Sequence, residues 1–541
     1  MKNGNIKWLK TNTRFAFGPI IFLSFLNIIV SYISMRFAFV SKDVLDIATG
    51  AHPGSLKTSL FILCALISSY IIIHIIYSVI DVKLSCIVTN RISNKLYKRI
   101  ITSDYPQISK YHSGELVNRL NGDVSVITAG LMGIIPSLVQ MSTKAVFSFT
   151  ALYMLDKNFA LLCIVILPFV TVASRIYGKR MKKLHKKSRA ASGRVYSHMQ
   201  EGIRNILILK AFVKESASSK KLSHLQDESM KLNVKAGIIS MIANLLFFAV
   251  MTFGYYCALI WCAYKISIGL MTVGTLTAIL QLFSQLQTPF EEFSAIIPLY
   301  YKTTASVERI RELEEIPQED TDENIVCRDF TSIVAKDLSF GYEEDEPVLT
   351  GFNAQIQKGK MTVLGGDSGC GKSTFIKLMM GVLHPDGGNI YFDVDDGRKV
   401  NCDYRARVNF AYVPQGNMIL SGTIKNNIAF YNEEISEQTI IESAKDACIY
   451  DYIMSLPDGF DTVLGEGGLG LSEGQIQRLA IARALSTNAN VLILDEATSA
   501  LDEQTEEKVL LNIKNRTDLT TLVISHRKCA FNIADSVLYL H

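Results

Sequence analysis

The first 300 positions alternate long apolar runs with short polar interruptions. The runs cover residues 15–40, 60–80, 130–155, 159–176, 238–264 and 270–300. Crossing a bilayer core takes about 18–20 consecutive apolar residues of helix. Each run reaches that length, the fourth only marginally. One such run could be a buried core helix; six in series predict a bundle of six membrane-spanning helices. Only Asp156-Lys157-Asn158 separates the third from the fourth, which predicts a tight hairpin. The first run is too long for a cleaved signal and lacks a small-residue exit.

Charge orients the bundle. Lys2, Lys7, Lys10 and Arg14 precede the first run, seven Lys/Arg lie in 81–130 and sixteen in 175–235, while the segments 41–57, 156–158 and 265–269 carry few. Positive loops stay inside, so the N-terminus and the C-terminal half are expected in the cytoplasm of a multi-pass plasma-membrane protein. The long inner segments keep helical spacing, with Leu116, Leu120, Val124 and Ile127 apolar, so the membrane helices are expected to continue into the cytosol. Two stretches, 105–114 and 201–215, break the pattern and are candidate docking elements for the second half. Polar residues inside spans are costly in lipid. Gln281, Gln285, Thr288 and Glu292 fall on one face of the sixth span, beside Glu291 and Pro289. The third span carries Gln140 and Lys144 and the second His74, while Arg36 snorkels from the first. Lys144, Gln281, Gln285 and Glu292 are candidates to line a polar translocation cavity; helix-to-helix hydrogen bonding is the equal alternative for each.

After residue 317 the pattern changes. An acidic linker over 318–332 leads into 333–541, where β-type runs at 333–340, 361–364, 491–494 and 520–525 alternate with helical patterns. This predicts an α/β domain with a largely parallel sheet. Within it, Gly366-Asp367-Ser368-Gly369-Cys370-Gly371-Lys372-Ser373 follows an apolar strand and precedes a helix expected over 375–383. Such a loop turns its N–H groups toward phosphate oxygens, Lys372 reaching the β- and γ-phosphates and the Ser373 hydroxyl Mg²⁺. Val491-Leu492-Ile493-Leu494-Asp495-Glu496 is an apolar strand delivering two carboxylates, Asp495 suited to Mg²⁺ and Glu496 to polarising the attacking water. The chain is 49% hydrophobic with a net charge of +4, which gives no reason for a nucleic-acid partner. Its ten cysteines show no C-x-x-C spacing and read as reduced thiols rather than metal ligands.

Further residues bring out a family resemblance. Leu471-Ser472-Glu473-Gly474-Gln475 resembles the L-S-G-G-Q signature of ATP-binding cassettes. Tyr342 matches the aromatic that stacks on adenine, and Gln415 the glutamine that senses Mg²⁺ and water. Ser499-Ala500-Leu501-Asp502 matches the segment at the dimer interface, and His526 the switch histidine. Thr374 completes the phosphate loop. In the first half, 114–123 and 210–215 resemble the segments beside the two coupling helices of six-span exporters, as Gly465-Glu466-Gly467 and 305–310 resemble other exporter segments. The whole is identified as similar to an exporter-type half transporter: an all-α six-helix membrane domain over 1–317 fused to an α/β P-loop NTPase over 333–541.

The resemblance implies an ATPase in which the signature of one copy closes on the phosphate loop of a second, with ATP and Mg²⁺ as cofactors. Because Lys372, Gln415, Asp495, Glu496 and His526 are all present, a homodimer with two equal sites is expected, a heterodimer being the alternative. The implied function is export of a peptide or amphipathic small molecule by alternating access; lipid flipping is a second reading and a non-transporting ATP-gated regulator a third. Two departures stand out. Glu473 replaces a signature glycine, where Ser472 with Gln475 fits a capping box, so activity is expected to persist. The sequence ends at His541, where the family continues with a hairpin and helices, and no peptidase segment precedes the first span. Cys370 is either a thiol handle on ATPase activity or simply a tolerated small residue.

Overall fold

The computed structural model describes residues 2–319, 324–343, 346–367, 369–416, 419–465 and 470–540; at 2–3, 6, 163–180, 182–183, 185, 244, 247, 290–291, 293–295 and 343 only the backbone is described. The chain divides into two compact units, Met1–Lys95 with Val117–Arg311, and Leu96–Leu116 with Glu312–His541.

The N-terminal half is helical: α1 (Lys2–Asn12), α2 (Phe17–Ala48), α3 (Leu56–Ile101), α4 (Tyr105–Ile108), α5 (Ser113–Asn118), a π-helical turn Arg119–Asp123, α6 (Val124–Leu155), α7 (Lys157–Arg204), α8 (Ile206–Ala211), α9 (Glu215–Ser267) and α10 (Val273–Glu314). Six of these are long, one for each apolar run, and they extend past it. At about 1.5 Å per residue, helices α3, α7 and α9 reach roughly 70–80 Å, over twice the bilayer core. Among the described residues, four helical stretches are long and apolar enough to cross a membrane: Arg14–Ala48, Leu56–Ile101, Ser113–Leu155 and Glu215–Ser267. The apolar part of α7 falls on residues without described side chains, and α10 carries the polar row around Gln285. The apolar window of α3 is 0% buried. Among the described residues of this chain nothing covers it, an exposed apolar face of the kind that suits lipid or another protein surface.

Short-range chemistry fixes the ends of these helices. Asp156, in the hairpin between α6 and α7, accepts from the N–H groups of Asn158 and Phe159 and thereby caps α7. It also accepts from Trp261 Nε1 at 2.9 Å and Lys265 Nζ at 2.5 Å on α9. Burial raises its proton affinity, but the Lys265 and Trp261 bonds outweigh that and hold the carboxyl below its usual range. At the opposite end, Asp123 accepts from Ser306 and Arg309 of α10, which pins the π-helical turn. The stretches 105–114 and 201–215 do break the long helices, into the short α4 and α8.

The second unit holds the α/β domain, with β1 (Phe330–Glu343), β2 (Glu346–Gln357), β3 (Met361–Gly365), α11 (Lys372–Met379), β4 (Gly387–Val394), β5 (Lys399–Asn401), β6 (Phe410–Val413), β7 (Gly422–Thr423), α12 (Ile424–Ala429), α13 (Glu437–Asp446), α14 (Tyr450–Ser455), β8 (Val463–Leu464), α15 (Glu473–Leu485), β9 (Val491–Asp495), α16 (Glu503–Lys514), β10 (Thr520–Ile524), α17 (Lys528–Ile533) and β11 (Ser536–Tyr539). An all-parallel sheet of order β11-β3-β10-β9-β6 forms the core, beside an antiparallel sheet of order β2-β1-β4-β5. Strands β3, β9 and β10 are buried at every position, as continuous apolar runs in a covered parallel sheet require. Helix α11 begins earlier than expected from its apolar residues, at Lys372, because Gly371 at φ +100° forms its N-cap. It ends at Met379, close to Gly381 at φ +61°. The segment Leu96–Leu116, which contains α4, belongs to this unit: Asp104 donates its N–H to Pro317 O and its carboxylate lies 3.0 Å from His384 Nε2.

Candidate functional site

Four neighbouring strands of the parallel sheet end at one edge. In the order β3, β10, β9, β6 they lead into the phosphate loop, His526, Glu496 and Gln415. Register keeps the ends level: Leu364 pairs with Ile524, Ile524 with Asp495, and Leu494 with Val413. Chemistry scattered over 160 residues of sequence is thus gathered at the carboxyl edge, where open α/β sheets bind ligands.

The loop after β3 needs its glycines. A Cβ on Gly366, at φ +141°, would lie 2.4 Å from Leu540 O, and one on Gly371 2.9 Å from Val348 Cγ1. Ser368 lies outside the described residues; Asp367 and Gly369 are exposed, and Cys370 is half-buried against Gly366. Lys372 is buried, and its ammonium donates to Gly366 O at 2.6 Å, to Asp367 O at 3.0 Å and to His526 Nε2 at 3.2 Å. An ammonium only donates, so Nε2 accepts and the imidazole proton sits on Nδ1 in this arrangement. Thr374 meets the Tyr342 hydroxyl at 3.2 Å, and the Tyr342 ring, 59% exposed, stands edge-on to Phe340. It is a free aromatic face beside the loop.

Glu496 has φ +51°, a left-handed conformation rare for a side chain of this size and worth about 1–3 kcal/mol of strain. Gln415 Nε2 donates to its Oε2 at 2.7 Å, and His526 Nε2 lies 3.6 Å from its Oε1. Asp495 is buried and accepts from Tyr412 at 3.1 Å and from Ser373. Burial pushes its carboxyl above the usual range, against the pull of those two donors. Asp495 and the Ser373 and Gln415 side chains form a small, hard, oxygen-donating set, the type that suits Mg²⁺. Among the described residues no cluster of three His, Cys, Asp or Glu is present.

Ser472 is the N-cap of α15 and forms a full capping box: its N–H donates to Gln475 Oε1 at 2.8 Å and its Oγ accepts from Gln475 N at 3.3 Å. Glu473 follows, exposed in the first turn, where the helix dipole favours an acid. Leu471 is half-buried, and a Cβ on Gly474 would meet Ala500 O at 3.0 Å. Because the box and not Glu473 carries the cap, Glu473→Gly is expected to retain ATPase activity within a few-fold. Its thermal stability should drop by no more than about 1 kcal/mol, the cost of glycine in a helix. A steady-state ATPase assay with a melting curve checks this. Residues 466–469, with Glu466 and Gly467, lie outside the described residues.

The segment Ser499-Ala500-Leu501-Asp502 is held from two sides. Gln477 of α15 donates to Ser499 Oγ at 3.0 Å and accepts from Ala500 N at 2.9 Å. Arg527, next to His526, donates to Ser499 O at 2.5 Å, Leu501 O at 2.6 Å and Glu506 Oε2 at 3.0 Å. Asp502 caps α16 through Thr505 N. Glu506, Tyr412 and the Arg527 clamp lie outside the sequence motifs. One signal was available: Glu506 precedes Val509, Leu510 and Ile513 at helical spacing, so it is an acid on a buried face.

In the membrane unit the candidate cavity residues part ways. Gln285 is committed to neighbouring helices, accepting from Ser148 Oγ and donating to Ser34 O, each at 3.2 Å. Among the described residues, Gln281 buries its carboxamide oxygen without a partner. Lys144 is half-buried and within electrostatic reach of the exposed Glu292.

The family model of the ABC transporter transmembrane region matches residues 20–290, and that described as ABC transporter matches 349–499. The chain is an ABC transporter. It is 31% identical over 461 residues to an ATP-dependent lipid A-core flippase of Pseudomonas fluorescens (strain Pf0-1), spanning 82% of this chain and 74% of that protein. It is 29% identical to the uncharacterised ABC transporter ATP-binding protein YknU of Bacillus subtilis, over 83% of this chain and 77% of the relative. A solved bacterial Atm1-family ABC exporter with ATP bound shares the fold, with a TM-score of 0.78 at 22% identity over 97% of this chain and 94% of that one. This ABC transporter has the half-transporter architecture, a helical membrane domain fused to one ATPase domain, and couples ATP hydrolysis to export across a membrane.

Proposed function

We propose that this half transporter works as a homodimer in the plasma membrane, with its ATPase domain cytoplasmic, and exports a peptide or amphipathic small molecule. The observation that carries the engine is the shared strand edge, where Lys372, Gln415, Asp495, Glu496 and His526 converge. In the proposed site, phosphate oxygens replace the carbonyls that Lys372 now contacts, and Tyr342 offers its ring to adenine. Gly366, Asp367, Ser368, Gly369, Cys370, Gly371, Ser373 and Thr374 wrap the phosphates. Ser373, Asp495 and Gln415 would hold Mg²⁺, which would supply positive charge against the phosphate oxygens when bound. Glu496 takes a proton from water as the water oxygen bonds to the γ-phosphorus and the bridging oxygen leaves with ADP, and His526 donates a hydrogen bond to the γ-phosphate. Leu471, Ser472, Glu473, Gly474 and Gln475 of the second copy face that phosphate, and Ser499 to Asp502 cross the seam. Contacts made only in the closed pair shift the population toward it, and hydrolysis removes them.

Lys144, Gln281 and Glu292 are the cavity residues that support an amphipathic substrate, since opposite charges and a spare amide acceptor in one membrane unit suit a polar, partly apolar cargo. Gln285 serves helix packing instead. A lipid cargo is the second reading, favoured by the relatives named lipid A-core flippases. The test is ATPase stimulation in nanodiscs by amphipathic peptides and by lipids, in wild type and in a Lys144→Ala, Glu292→Ala chain. Peptide stimulation that disappears in the double variant is the expected result. Stimulation and vesicle translocation confined to lipid would replace this reading with the flippase one.

A further inference from the structure

Asp495 closes β9 with 3% of its surface exposed, and its side-chain hydrogen bonds come from Ser373 and Tyr412. Ser373 belongs to the phosphate loop, but Tyr412 belongs to no motif of the site. It sits on β6, three residues before Gln415, and pairs with Ile493 of the parallel strand β9. Side chains alternate along a strand, so Tyr412, Ile493 and Asp495 share one face. The Tyr412 ring runs along that face to the sheet edge, where its hydroxyl lies 3.1 Å from Asp495 Oδ2. A carboxylate only accepts, so the hydroxyl donates.

A phenylalanine would fill the same space without needing a partner. The hydroxyl instead spends its proton on the one carboxylate the cation site depends on. Among the described residues Asp495 has no ion-pair partner, so these two donors set its orientation. Groups that hydrogen-bond a ligating carboxylate orient it and tune its affinity for metal. The geometry points to Tyr412 as a positioning residue for the divalent cation: its hydroxyl anchors Oδ2 of Asp495 and leaves the carboxylate's other lone pairs to the ion. Tyr105, the first residue of α4, lies within electrostatic reach of the Tyr412 hydroxyl.

This role rests on the proposed assignment of Asp495 to Mg²⁺, and the experiment separates the two. The full chain in nanodiscs, with a non-hydrolysable ATP analogue, is titrated with Mn²⁺ and followed by electron paramagnetic resonance. Tyr412→Phe is expected to weaken Mn²⁺ binding about 10-fold, to raise the half-saturating Mg²⁺ concentration for ATPase in step, and to regain turnover when Mg²⁺ is in excess. Wild-type Mn²⁺ affinity in Tyr412→Phe, or a turnover defect that excess cation does not relieve, overturns the role and leaves Tyr412 as packing. Asp495→Asn with undiminished Mn²⁺ affinity overturns the cation site itself, and the Tyr412 role with it.

Discussion

A Glu496→Gln chain is expected to lose steady-state ATPase by about 100- to 10,000-fold, the usual contribution of a positioned general base, and to retain ATP rather than ADP. The substitution is isosteric, so it keeps the bond that Gln415 now makes to Glu496 Oε2 at 2.7 Å. What it removes is the charge that can take a proton from water. In the proposed site the contacts that hold ATP come from other residues, the Lys372 ammonium and the loop N–H groups among them. Binding should therefore survive while chemistry stops, and the closed pair should accumulate. Nucleotide extracted from the washed protein gives the readout. Turnover near wild type would remove Glu496 from the role of base and send the search to other carboxylates.

The second large effect is on stability. Arg527→Ala strips Glu506, 0% exposed, of its cation and leaves Thr498, at 2.7 Å, as its donor. Removing one partner of a buried pair costs about 3–5 kcal/mol. The Arg527 side chain is 39% exposed, so the expected loss is lower, about 2–3 kcal/mol. Two carbonyl anchors of the segment after β9, Ser499 O and Leu501 O, go with it. ATPase should fall alongside the melting temperature. Adding Glu506→Gln should recover part of the stability, because a neutral amide tolerates the missing cation. It should not recover activity, since the carbonyl anchors stay unmade. A double-mutant cycle with a coupling near zero would show that the pair contributes nothing.

The pattern of apolar runs carried the membrane half because bilayer thickness sets a length that few other environments demand. The helices' extensions and the breaks at α4 and α8 were also legible, from helical spacing that continued and then lapsed. In the ATPase half, the parallel strands announced themselves as continuous apolar runs ending in Gly366, Asp495 and His526. The capping box at Ser472 and Gln475 could be read because it is local. Other features depend on strand order, which no local pattern encodes. Tyr412 meets Asp495 only because β6 lies beside β9, and Arg527 meets Ser499 only because β10 does. Gln285 shows the same limit: its place on a polar face could not say whether it lines a cavity or bonds Ser34 and Ser148.

In the proposed dimer each ATP site is shared, one copy giving the phosphate loop and the other the signature. Mixing two inactive chains tests this. Glu496→Gln spoils the strand edge of its own copy, and Ser472→Arg spoils the signature its copy lends. A mixed pair keeps one site built from an undamaged edge and an undamaged signature. Co-reconstitution should restore a measurable part of wild-type ATPase that neither variant shows alone. A mixture as inactive as its components, under conditions where the two chains co-purify, would contradict the shared site.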